Sequence, residues 1–413
     1  MRKPFLAMML LILSINLVLA GHTLADEPTS EQPLIGYTEL QTNLPGGRHA
    51  NVRTMRATVV RADGSGRARI ADELADETDA WTQFAGWSPD GKQAIVSRGW
   101  QDAENANWEQ EHKTFRMEPK KWLLDSCLVN IATGKVSNLT AVDRVSHYNG
   151  GLFFMPEVKT LGSAAQATTH RLGFTPLING VSKPFVMDLD GRNKQDLSST
   201  NAGFTYGYSA SPDGNLISYH ENYQVYIARA DGSEKRHINT GHPFDFGPRW
   251  SPDGKWLLFL SGEHYDCHPH IVRADGTGLK KLADRAGYRG VTEFLDVDDF
   301  HGGSSDVPVW SVDSQSVFYT AKVGNNVELF QITLDGGNIQ LTKTPDGTTH
   351  YHPTPSGDGR QLLYGSKRNG VRQLFVMTLA DLGETQLTHH KIGFGAMWPH
   401  WQPAESAQSL PIP

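Results

Sequence analysis

The chain has 413 residues, with 38 Lys and Arg against 45 Asp and Glu, so the formal net charge is -7. That balance excludes a protein built to grip nucleic acid electrostatically. Hydrophobic residues at 38%, with 10 Trp, 12 Tyr and 17 Phe, supply a core and exclude bulk disorder, while two cysteines, Cys127 and Cys267, exclude a disulfide framework and a zinc site built on Cys pairs.

The chain opens on a short basic start, Met1-Arg2-Lys3, followed by an almost continuous apolar run from Phe5 to Ala20. The run has the length of a signal-peptide core and is short for a spanning helix. Val18-Leu19-Ala20 and Thr23-Leu24-Ala25 both offer small-residue cleavage sites, and no Cys follows for lipid attachment. The expectation is a cleaved signal over residues 1–25, a polar linker over 26–34, one domain over 35–405 and a tail over 406–413. The mature chain is then periplasmic or secreted, has no membrane span and is a monomer.

Two turn signals alternate through the rest of the chain. The first is Ser-Pro-Asp-Gly between apolar stretches, at Ser88–Gly91, Ser211–Gly214 and Ser251–Gly254, with degenerate copies at Ser311–Ser314 and Ser356–Gly359. The second is an Asp-Gly-like turn ending an apolar strand, at Asp63-Gly64, Thr133-Gly134, Asp190-Gly191, Asp231-Gly232, Asp275-Gly276, Asp335-Gly336 and near Asp381–Gly383. Flanks such as Phe185-Val186-Met187-Asp188 alternate apolar and polar, the mark of half-buried strands. One repeat therefore reads strand A, Ser-Pro-Asp-Gly turn, strand B, loop, strand C, Asp-Gly turn, strand D. Repeats of four strands suggest propeller blades, with a parallel β-helix as the other reading. Met397–Pro403 looks like a strand A stopping at its turn, and Ile35 to Ile70 supplies outer strands without one. The fold expected is all-β, a seven-bladed β-propeller closed by its N- and C-terminal strands, with insertions near residues 99–120, 156–170 and 284–305. The repeats resemble those of the TolB-like propeller superfamily over nearly the whole mature chain, a resemblance that speaks to fold more than to function.

The A–B and C–D turns belong to one propeller face and the D–A and B–C loops to the other. Of 17 histidines, ten map to the second face. His147, His242, His301, His350, His352 and His400 lie just before or within strand A, and His220, His264, His268 and His270 are assigned to B–C loops. His350-Tyr351-His352 alternates, so on a regular strand both imidazoles share one side and can ligate one ion. His301 sits one blade earlier with Asp306 close behind, and His400 enters from the blade beyond. Three imidazoles suit Zn, Mn or Fe with positions left open. His242 precedes Asp245 and Arg249: a carboxylate can orient a histidine base, and Arg can hold a substrate carboxylate. Tyr206, Tyr148 and Trp398 can stack on sugar rings or pack between blades. The chain lacks a Gly-x-Ser-x-Gly elbow, a P-loop and a dinucleotide fingerprint.

The His-x-His with a further His one blade earlier is similar to the metal site of oligogalacturonate lyases, which are propellers of similar length. The resemblance implies a divalent metal (Mn, Zn or Fe) on His301, His350 and His352. It implies β-elimination on an acidic oligosaccharide with a base such as His242; from their own positions Arg249 is the second catalytic candidate, and Tyr206, Trp398 and His400 are the candidate substrate contacts. Where that family has Gln, three residues before the His-x-His, this chain has Gly347. The alternative is a non-enzymatic TolB-like periplasmic module that docks an envelope protein or glycan.

Overall fold

The Ser-Pro-Asp-Gly turns share one hydrogen-bond scheme. Ser88 Oγ donates to Asp90 Oδ1 at 2.6 Å and accepts from Gln93 N at 2.9 Å, while Gly91 N donates to Ser88 O and takes φ +68°. The same Ser–Asp bond recurs at Ser211, Ser251, Ser311 and Ser356, at 2.6–2.7 Å. It holds the carboxyls of Asp90, Asp213, Asp313 and Asp358 below the usual range. The degenerate copy puts Ser314 in the left-handed position that glycine fills elsewhere.

The computed structural model describes residues 32–41, 54–112, 116, 118, 120–156, 171–198, 203–291 and 306–403. The export segment, His301 and residues 157–170 and 292–305 lie outside them. Among the described residues the chain is all-β, apart from a helix at Ala103–His112 and a 3-10 turn at Asp72–Ala75. The helix occupies the first expected insertion.

The turns join strands into antiparallel blades. The first has Ala80–Trp87, Gln93–Gln101, Trp122–Asn130 and Val136–Asn138 in order. The second has Asn149–Phe154, Arg171–Ile178, Phe185–Asp188 and Gln195–Asp196. Then come Thr205–Ala210, Leu216–Glu221, Gln224–Arg229 and Arg236–His237, followed by Phe244–Trp250, Trp256–Glu263, Asp266–Arg273 and Lys280–Lys281. The next two run from Val309–Trp310 to Asn338–Gln340 and from Thr349–Pro355 to Glu384–Gln386. Finally, Phe394–Trp401 pairs with Leu34–Gln41, Leu34–Gln41 with Arg56–Arg61, and Arg56–Arg61 with Ala68–Arg69. The two ends of the chain therefore build one sheet, as the terminal half-repeats imply.

Neighbouring blades are stitched through their A strands. A Trp closing strand A donates its indole N–H to a carbonyl on the adjacent A strand: Trp310 to Arg249, Trp401 to Thr354 and Trp87 to His400, at 3.0–3.1 Å. The last of these ties the final A strand to the first. Apolar side chains interleave between blades, as where Leu258 and Ile271 meet Trp310, Val317 and Tyr319. The fit is tight: a Cβ on Gly36 in the final sheet would lie 1.9 Å from the Phe84 ring of the first blade. A polar peg on strand C closes three blades by gripping the Thr after strand D. Asp125 accepts from Thr140, Glu328 from Thr342, and Gln373 from Thr388, at 2.5–3.0 Å. No helix among the described residues is long and apolar enough to cross a membrane.

Candidate functional site: the channel-facing bulges

The A strands are not regular. Register shifts fall between Gly150 and Phe153, Tyr206 and Ser209, Phe246 and Arg249, and Tyr351 and Thr354, and the last A strand has one opposite Gly36–Thr38. Each bulge contains a left-handed residue: Gly151, Gly207, Gly247, His352 and Trp398, with φ from +48° to +64°. A bulge re-aims the side chains around it. These bulges adjoin one another around the channel, since a Cβ on Gly207 would lie 2.9 Å from Gly247 Cα, and one on Gly247 3.5 Å from Val307.

The bulge separates the two histidines of the His-x-His. His350 turns toward the preceding blade, fully buried, with Nε2 3.4 Å from Glu328 Oε2 and its ring against Tyr364. Burial pushes the imidazole pKa down. Burial also works against the Glu328 carboxylate, but bonds from His350, Thr342, Thr344 and Asn326 outweigh it and hold the pKa below the usual range. His352 turns toward the following blade and lies against Trp398, ring centroids 6.1 Å apart and 25° from parallel. The expectation that both imidazoles share one side is corrected: it assumed unbroken alternation, and the bulge breaks it. With His301 outside the described residues, no group of three or more His, Cys, Asp or Glu able to hold a metal is found among those described. His350 and His352 each have a different neighbour, and no chemical step is routed through a shared ion.

Five of the expected residues do gather on the channel side. Arg249 and His400 occupy matching places, two residues before the turn in their blades, and His352 and Trp398 the bulges. Tyr206 stands beside a third bulge. Arg249 is exposed and Tyr206 is 41% exposed, yet desolvation lowers the pKa of the Arg249 guanidinium and raises that of the Tyr206 phenol. The two facts agree if the groups face a narrow channel: open to water molecules, but walled off from bulk solvent by the blades. His400 is pushed down to about 4, first by burial and then by the charges of Arg249 and His352. Arg249 and His400 belong to blades far apart in sequence, and the closed sheet brings the Arg249 charge to bear on His400. Tyr206 stacks on Phe246 at 5.7 Å, and His220 packs on Phe246 at 4.3 Å.

His242 does not join them. It precedes the strand Phe244–Trp250, which carries Arg249 near its other end. His242 Nδ1 instead contacts Ser261 Oγ at 2.8 Å, and its ring meets His270 edge-on at 5.6 Å. Asp245, below it, accepts from Thr240 Oγ1 on both oxygens, and burial raises its carboxyl to about 6. His220 lies in strand Leu216–Glu221 and His268 and His270 in Asp266–Arg273, not in B–C loops as expected.

Asp306 has a role that the sequence reading did not assign. Its buried carboxylate accepts from His352 N at 3.0 Å, Thr320 Oγ1 at 2.6 Å and Tyr288 O–H at 3.1 Å, with Arg285 Nη2 3.6 Å away. A signal for the bulges was available, because Gly247-Pro248, His352-Pro353 and Trp398-Pro399 stand at one spacing before the turns.

No protein-family model matches the chain. An uncharacterised protein of Agrobacterium fabrum is 26% identical over 167 residues, 39% of this chain and 54% of that protein. An uncharacterised peptidase of Bacillus subtilis is 25% identical over 184 residues, 43% of this chain and 23% of that protein. The matches thus span about half the length of the first relative and under a quarter of the second. Among solved structures, an oligogalacturonate lyase in complex with manganese superposes with TM-score 0.54 at 13% identity, over 81% of this chain and 84% of that one. The oligogalacturonate lyase of Vibrio parahaemolyticus gives 0.52 at 14%, with the same coverage. TolB from Acinetobacter baumannii gives 0.48 at 13%, over 90% of this chain and 66% of that one. At these identities the likeness is one of fold. The class is a β-propeller. Oligogalacturonate lyases share the fold.

Proposed function

We propose that the protein is an exported propeller, closed as a ring of seven blades, whose central channel takes up an acidic saccharide. One observation carries the reading: Arg249 is an exposed guanidinium on the channel side, and among the described residues no carboxylate is paired with it. A guanidinium matches a carboxylate in two parallel bonds, and a poorly hydrated channel strengthens them. Trp398 and Tyr206 add flat faces for the C–H side of a sugar ring. The basic, apolar start of the chain supports export to the periplasm or beyond.

β-Elimination is the second reading, favoured by the neutral His400 beside Arg249. With the uronate carboxylate neutralised by Arg249, the proton on the adjoining carbon is more acidic. A channel imidazole takes that proton, the electron pair of the broken C–H bond forms the double bond, and the glycosidic oxygen leaves with the C–O pair and is protonated by water, the imidazolium returning its proton to solvent.

Calorimetric titration of the mature chain with galacturonate oligomers, and with uncharged glucan oligomers of equal length, tests the proposal. Salt-sensitive binding of the acidic oligomers alone, weakened at least tenfold in Arg249→Ala, is expected. Equal binding of both series, or of neither, overturns it. Growth of unsaturated-uronate absorbance on incubation then separates a lyase from a binding protein.

A further inference from the structure

The channel wall contains two residues in conformations that side chains resist. In three blades the left-handed bulge is filled by glycine: Gly151, Gly207 and Gly247. In the last two it is filled by His352 at φ +51° and Trp398 at φ +48°. Histidine enters this region more readily than most residues, but for a side chain as large as Trp it is a genuine outlier. Both precede proline, which further disfavours anything but extended backbone. Gly247-Pro248 shows that glycine serves at the same place in the same fold. Such conformations persist where the surroundings over-determine them, and they cluster at binding sites.

The surroundings here do so. Asp306 Oδ1 accepts the His352 backbone N–H at 3.0 Å, and its other oxygen is fixed by Thr320 and Tyr288. Tyr351 O–H donates to Ala396 O at 2.9 Å, tying the two bulged strands together. The outcome is a pair of rings 6.1 Å apart in adjacent blades, on the channel side, where the His352 and Arg249 charges both bear on His400.

We propose that His352 and Trp398 are held in left-handed bulges as a pre-formed wall against which the pyranose ring of an acidic saccharide stacks, with Asp306 as the positioning residue for His352. This rests on the channel reading above: Arg249 takes the carboxylate, and the ring pair takes the sugar face and sets which ring orientation fits. Pre-organisation of this kind trades fold stability for affinity.

The test uses His352→Gly and His352→Ala in the full mature chain, read by thermal unfolding without ligand and by titration with galacturonate oligomers. Alanine keeps the Cβ that glycine lacks. His352→Gly is expected to melt about 2 °C above His352→Ala, while both bind at least tenfold more weakly than wild type. Asp306→Asn is expected to weaken binding severalfold in the wild-type background and to have little further effect in His352→Gly, where no strained conformation remains to be held; a merely structural role would give the same loss in both. Equal melting of the Gly and Ala variants, or wild-type affinity in either, overturns the proposal. A wild-type chain that binds no acidic oligomer overturns the channel reading instead, and the melting comparison still reports on the strain.

Discussion

At the scale of single residues, burial and charge decide which histidines can act. His270, His390 and His400 all sit near 4, each first through burial. Their folded-state pKa values lie below the ordinary 6.5, so the stability they contribute is present above pH 6.5 and is lost as pH falls through 4. Asp245 works in the opposite sense: raised to about 6, it favours the fold in acid and loses that contribution as pH rises through 6. The melting temperature is therefore expected to be flat above pH 7 and to fall between pH 6.5 and 4. Asp245→Asn is expected to steepen that fall, because the opposing contribution is gone. Melting curves at half-unit pH steps check both. Elemental analysis checks the metal expectation. Since His350 faces Glu328 and His352 faces Trp398, His350→Ala is expected to leave any bound metal unchanged; a metal lost in that variant alone would show that the ring turns away from Glu328.

At the scale of elements, the turn serine is expected to matter more than its size suggests. Ser251 is fully buried, donates to Asp253 and accepts from Trp256 N at 3.0 Å. Ser251→Ala leaves a buried N–H without its acceptor, at a cost of about 1–3 kcal/mol, measurable by urea denaturation. The Trp310 indole bridges two blades through the Arg249 carbonyl. Trp310→Phe keeps the ring and removes that bond, so a loss of about 1 kcal/mol is expected, with weaker oligomer binding because the Arg249 backbone is no longer pinned. The blades were legible in sequence because their turns need particular residues: Pro and Gly for backbone angles, Ser and Asp for the bond between them. The bulges were not read, because an extra residue in a strand leaves the apolar pattern nearly intact while reversing the side chains beyond it.

For the whole molecule, the shared final sheet is the controlling feature. Phe394–Trp401 pairs with Leu34–Gln41 from the other end of the chain, and Gln402 reaches back to Leu34 N and Gly91 O at 2.8–2.9 Å. A chain cut before Phe394 leaves Leu34–Gln41 as an open edge. It is expected to unfold in more than one step and to self-associate, whereas the intact chain unfolds in one; calorimetry and sedimentation distinguish these outcomes.

The sequence by itself determined the all-β class, the four-strand repeat and the joining of the two termini in one sheet. Those follow from local turn chemistry and period-2 patterning, which act over a few residues. The tertiary structure alone decided which side chains meet. It sent His350 to Glu328 and His352 to Trp398, although a single residue separates them in the chain. It also brought the Arg249 charge to bear on His400, from blades about 150 residues apart in sequence. Those pairings depend on where each bulge falls and on how neighbouring blades pack, and both are settled by contacts between segments remote in the chain.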